Sequence, residues 1–111
     1  MRKGNEGIAV NDIFAAVWGY EQTNVNYYQV VRIAGKTMIE LKEIDKEMVS
    51  DHGNYTTSVK PVVNSFKGES IKRKVQNYSR DPLVEINDVF SASLVEKVNG
   101  EYPSIVETSY Y

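Results

Sequence analysis

The chain has 111 residues and a mass of 12.6 kDa, enough for one domain of ordinary size, with 41% hydrophobic and 25% charged residues. It has no cysteine and a single histidine, His52, which excludes disulfides, thiolate zinc sites, cysteine nucleophiles and multi-histidine metal centres together. A net charge of −2 is too near zero to argue for nucleic acid or an acidic mimic of it, and what composition offers instead is eight tyrosines.

The predicted elements are strands and turns. Residues 1–7 are polar and glycine-bearing and read as flexible. Residues 12–18 (Asp12, Ile13, Phe14, Ala15, Ala16, Val17, Trp18) are apolar, and their β-branched and aromatic content favours a strand buried on both faces over a short helix. A polar loop over 19–26 follows. Residues 27–33 and 37–43 are expected to pair as a β-hairpin across the tight turn 34–36. In its second strand Ile39 and Leu41 face inward, Glu40 and Lys42 outward. Residues 43–50 extend that strand or make a turn of helix, and 50–54, with His52, read as a solvated loop. Residues 58–63 read as an edge strand, because Pro61 has no N–H for a central ladder. Residues 65–70 turn, and 71–75 alternate so that Arg73 shares the face of Ile71 and Val75. Residues 79–82 turn again, 83–87 alternate with Val84 and Ile86 inward, and 91–98 are a strand or a short helix. Asn99-Gly100 is a turn, and 103–111 read as a flexible tail with Tyr110 and Tyr111 at its end. The expected fold is mainly β: one domain over residues 1–111, a small antiparallel barrel or bent sheet, SH3-like in style, of five to seven short strands.

Charge is segregated along the chain. Residues 1–66 carry seven basic and eight acidic groups. Residues 67–80 carry five basic groups against Glu69, and 81–111 carry Lys97 against six acids. The basic stretch with Lys72, Arg73 and Lys74 is expected either to contact phosphates or an acidic partner, or to pair with the acidic C-terminal segment across a sheet.

The most particular stretch is 18–28, where Trp18, Tyr20, Tyr27 and Tyr28 surround Gln22, Thr23, Asn24 and Asn26. Aromatic rings give contact area at low entropic cost and amides give adaptable hydrogen bonds, a mixture suited to a protein interface, a stacked base or a carbohydrate. Trp18 is expected to lean toward the core. Tyr20 and one of the Tyr27/Tyr28 pair are expected at the surface, since consecutive strand residues face opposite ways.

Asn11-Asp12-Ile13-Phe14 and the run from Trp18 to Val31 resemble a functionally uncharacterised family of small phage and mobile-element proteins. Its members carry a Gly-Asp-Ile-type opening and a W-G-Y-[DE]-Q-T-N-V-[DN]-[FY]-[YF]-Q-V-V core. This chain departs from the pattern with Asn11 in place of glycine and with Val98-Asn99-Gly100 in place of a Trp-acid-Gly turn. The resemblance implies a phage-like origin and supplies no activity.

Catalytic signatures do not emerge. His52 has only Asp51 and Glu47 as conceivable co-ligands, no G-x-S-x-G or S-x-x-K arrangement occurs, and the glycines are too scattered for a phosphate loop. No cofactor or metal is expected. No secretion leader or apolar membrane-spanning run is read, so the expected place is the cytoplasm of a bacterial host. Three function classes remain. The first is a non-enzymatic binding protein contacting a host protein, such as a defence nuclease, through Trp18, Tyr20, Gln22, Asn24, Tyr27 and Tyr28. The second is a small-barrel nucleic-acid binder, and the third a small-ligand or nucleotide-binding protein.

Overall fold

The computed structural model describes residues 4–78 and 80–108. The remainder, including Tyr110 and Tyr111 of the expected tail and Ser79 of the expected turn, lies outside the described residues. The described residues form eight strands: β1 (Ile13–Trp18), β2 (Asn24–Ala34), β3 (Met38–Gly53), β4 (Thr56–Phe66), β5 (Ile71–Lys74), β6 (Leu83–Glu85), β7 (Ser91–Val95) and β8 (Ile105–Thr108). Seven of them make a curled antiparallel half-barrel in the order β6, β7, β1, β2, β3, β4, β8, and β5 pairs with the first half of β3. The all-β single domain expected from the turn spacing is the fold observed. No helix among the described residues is long and apolar enough to cross a membrane.

β1 and β2 sit at the centre because both of their faces are apolar. Phe14 and Ala16 on β1 and Tyr28 and Val30 on β2 point into one core, with Ile39, Leu41, Val75, Val84, Ile86 and Ala92. Ile13, Ala15, Val25 and Tyr27 point the other way, into a second core with Ile44 and Val59, flanked by Val95, Tyr102 and Ile105. Period-two alternation therefore separates two cores instead of a core from solvent. Each large side chain removed from water in this way contributes about 1.5–3 kcal/mol.

Each core is closed by a seam. Around the first, Val75 and Gln76 continue β5 toward β6: Gln76 N–H donates to the Leu83 carbonyl at 2.7 Å and Leu83 N–H donates back at 3.0 Å. Arg73 stitches the same seam, its Nε and Nη2 donating to the carbonyls of Glu85 and Ile86, each at 2.9 Å. Around the second core, β8 spans from β4 to the start of β2. Thr108 N–H donates to the Thr23 carbonyl at 3.0 Å, Thr23 N–H to Thr108 Oγ1 at 2.8 Å, and Val25 N–H to Glu107 Oε2 at 2.9 Å.

Several boundaries differ from expectation for local reasons. β3 runs through 43–53, so His52 lies on a strand, with its Nε2 2.8 Å from Ser58 Oγ, rather than in a loop. β4 is an edge only beyond its pairing with β8 over Thr56–Val59, and Pro61 occupies that free stretch, where no donor is needed. Residues 91–95 are strand, not helix. Within the stretches that read as loose, Asn5 and residues 105–108 are hydrogen-bonded into the sheet. Asn5 N–H donates to the Lys36 carbonyl at 2.8 Å, and Asn5 Nδ2 to the carbonyls of Gly35 and Met38 at 3.1 and 2.9 Å. A Cβ at Gly4 would collide with the Lys36 carbonyl oxygen.

Gln29 is the one polar side chain among the largest fully buried groups of β2. Its Nε2 donates to Asn11 Oδ1 and Asn64 Oδ1, both at 2.9 Å, and its Oε1 accepts the Asn64 N–H at 2.8 Å. Asn11 and Asn64 both hold left-handed backbone, φ 80° and 69°, which asparagine tolerates better than most residues. Position 11 is where the resembled pattern has glycine. Gln29→Leu keeps the volume but strands three hydrogen-bonding groups, and is expected to cost about 2 kcal/mol. Urea denaturation checks this; an unchanged midpoint would show that the network adds nothing.

Candidate functional site

The 18–28 stretch divides between scaffold and surface. Trp18 is partly buried and stacks on Phe90, with ring centroids 4.9 Å apart and planes 8° from parallel, while its Nε1 donates to Asn26 Oδ1 at 2.6 Å. Tyr27 and Tyr28 are both buried, so neither belongs to a contact surface. The alternation argument places one of them outside only if one face of β2 is wet, and both faces are covered. Tyr27 donates its hydroxyl to the Val59 carbonyl at 3.1 Å. Burial pushes each phenol up to about 12, reinforced by the charge of Glu107 at Tyr27 and of Glu43 at Tyr28.

Tyr20, by contrast, is 98% exposed. The loop that carries it is tightly held. Gly19 has φ 138°, and a Cβ there would collide with the Gln22 carbonyl oxygen, so the chain reverses where only glycine fits. Gln22 Nε2 donates to Asn24 Oδ1 at 3.2 Å, and Thr23 is tied to Thr108 in both directions.

Gln22 and Asn24 open onto a groove of about 630 Å³, whose other walls come from the β3–β4 hairpin and the end of β8: Lys46, Asp51, Gly53, Asn54, Tyr55, Thr57, Glu107 and Thr108. Three of these polar groups are occupied by the scaffold. Lys46 Nζ donates to Glu107 Oε2 and, at 2.8 Å, to the Val25 carbonyl, and Thr108 Oγ1 holds Thr23. Asp51 Oδ1 accepts the Gly53 N–H at 2.9 Å.

The hairpin tip is strained. Gly53, Asn54 and Tyr55 have φ of 76°, 52° and 59°, and the Gly53–Thr56 pairing makes Asn54 and Tyr55 a two-residue loop with left-handed backbone at both positions. Asparagine suits the first position, but the second favours glycine, and a tyrosine there costs of order 1–3 kcal/mol. Its ring is 61% exposed.

The basic strand does not form a free cationic strip. Lys72 Nζ lies 3.9 Å from Glu40, which also accepts from Arg32 at 2.6 Å and is held below the usual carboxylate range by that bond. Arg73 spends its guanidinium on carbonyls of the acidic segment, at the seam, instead of on phosphate or on a carboxylate. β5 itself pairs with β3, and the basic segment meets the acidic one at the Gln76–Leu83 bridge and through Arg73. Lys74 stays exposed, in a smaller groove shared with Glu85 and Asp88.

The structure thus unites Gln22 and Asn24, leaves Tyr20 on the same loop outside the groove lining, and puts Trp18, Tyr27 and Tyr28 into packing. Sequence reasoning missed the opposite wall, Asp51 to Thr57 with Glu107. A glycine followed by Asn54 between two strand-like runs was the available hairpin signal. Compared with family models, curated proteins and solved structures, the chain finds no match.

Tyr27 and Tyr28 make stability fall at high pH. Below about pH 10 both phenols are neutral in either state; between about 10 and about 12 the unfolded chain ionises and the folded one resists. The urea midpoint is expected to drop through that window, and a flat midpoint there contradicts the assignment.

Proposed function

We propose that this chain is a non-enzymatic binding protein that acts by protein–protein contact, with Tyr20 as its anchor. The observation that carries the reading is a tyrosine that is 98% exposed on a loop locked by Gly19, the Gln22–Asn24 bond and the Thr23–Thr108 pair. A large ring on a backbone that is already held has only its two side-chain torsions to fix on docking, which keeps the entropy cost of an aromatic anchor low. The division of labour among charges is in keeping with it: Arg73, Lys46 and Glu107 hold the scaffold, so these three are not contact groups. The resemblance to phage and mobile-element proteins supports a bacterial host protein as partner, with a defence nuclease as the expected kind. Nucleic-acid binding through Lys72, Arg73 and Lys74 is the weaker reading, because Arg73 is engaged at the seam and Lys72 lies beside Glu40.

Immobilised protein is expected to retain a host protein from nuclease-treated lysate. Tyr20→Ala should lose that protein while its thermal unfolding stays unchanged, and Val89→Ala, at another exposed site, should keep it. Capture that depends on intact nucleic acid, or that survives Tyr20→Ala, overturns the reading.

A further inference from the structure

We propose that the outer edge of β3, from Lys46 to Gly53, takes up an extended cationic segment of another protein as an added antiparallel strand. The inference goes beyond the Tyr20 reading, since this edge belongs to the wall of the groove opposite the loop that carries Tyr20.

The edge is unpaired backbone. Over Met38–Leu41, β3 has β2 on one side and β5 on the other, and its pairing with β2 ends at Ile44. From Lys46 to Gly53 its one partner among the described residues is β4, so the other row of N–H and C=O groups has no strand against it. Every residue of that stretch is exposed. Such an edge is a template for a further strand, with affinity from main-chain hydrogen bonds and selection from side chains. Lys46, Asp51 and Gly53 also line the groove of about 630 Å³, which leaves room on that side for the side chains of an incoming strand.

Charge selects the strand. Lys46 is turned away, to the Glu107 carboxylate and, at 2.8 Å, to the Val25 carbonyl. Glu47 has no ion pair among the described residues, and Lys60, opposite it on β4, forms none with it. Asp51 adds a second negative charge to the stretch, its Oδ1 holding the Gly53 N–H. Between the two acids lie Met48, Val49 and Ser50, the first two exposed and apolar. The complement is an extended segment with lysine or arginine at its flanks and apolar residues between them, because opposite charges on facing strands attract.

A second copy of this chain fits poorly. Laid edge to edge about a two-fold axis and centred on Val49, two β3 strands set Glu47 of each opposite Asp51 of the other. Centred on Met48, they set Asp45 opposite Asp51. Like charges in facing positions are destabilising. Val49 and His52 are also extra residues relative to β4, since Met48 pairs with Val59 and Ser50 with Ser58, Asp51 with Thr57 and Gly53 with Thr56. Bulges and charges are the devices that guard a free edge against its own kind. Toward a cationic strand the same charges are attractive.

The test is amide NMR on the full chain, titrated with blocked peptides of roughly eight residues, one strand in length. One peptide alternates lysine and valine, and a second alternates glutamate and valine. The third is the lysine–valine peptide N-methylated throughout, which keeps the charge but donates no main-chain hydrogen bond. The lysine–valine peptide is expected to bind and to slow hydrogen exchange of amides within residues 46–53; the other two are not. Glu47→Lys combined with Asp51→Asn, which keeps an acceptor for Gly53, should weaken that binding about tenfold and admit the glutamate–valine peptide. That gain is one an unfolded variant could not show. Tyr20→Ala should leave the peptide results unchanged, so this site and the protein-contact reading fail separately. No binding of the lysine–valine peptide, equal binding of its N-methylated form, protection confined to other residues, or indifference to the double variant overturns the proposal. A dimer of this chain protected over residues 46–53 overturns it as well.

Discussion

β2 buries side chains on both of its faces, Val25 and Tyr27 toward one core and Tyr28 and Val30 toward the other, and the rest of the architecture answers that constraint. A sheet with one wet face can stay open. A sheet with two apolar faces must find cover on each, and no helix among the described residues supplies it. The cover comes from the sheet's own ends: β5, β6 and β7 enclose one core, and β4 and β8 help to enclose the other.

Closing a short sheet twice leaves seams where strand pairing is incomplete, and side chains complete them. Arg73 donates to two carbonyls beyond β6, Glu107 accepts an N–H at the start of β2, and Asn5 satisfies carbonyls around the β2–β3 turn. Gln29 does the same inside the second face, where a buried amide without partners would be costly. These polar groups specify which strands meet. Their engagement also shapes the surface, because the cations and acids that a charge count treats as available for ligands are in part holding backbone together.

The groove and the placement of Tyr20 follow from the same closure. β8 ties the hairpin to the start of β2, which brings the Gln22–Asn24 loop opposite Asn54 and Tyr55 and creates the groove between them. Tyr20 stands outside that lining on a loop held by the same β8 contact. Tyr20 and the groove thus share one structural brace.

Local pattern was enough for much of this protein. The Gly35 turn, the inward Ile39 and Leu41, the shared face of Ile71, Arg73 and Val75, and the strand character of residues 13–18 all depend on neighbours in sequence, where sterics and alternation act directly. The exposure of Tyr20 was legible for the same reason, since a polar loop headed by glycine has little to pack against. The tertiary structure alone decided the fate of Tyr27 and Tyr28, because alternation assigns a residue to a face and only the other strands determine whether that face is wet. It also decided what the charges do. The sequence determined eight tyrosines, no cysteine and one histidine, and with them the chemistry open to the chain. Which tyrosines became core and which became surface depended on contacts between residues up to 85 positions apart, such as Thr23 with Thr108, that no local window contains.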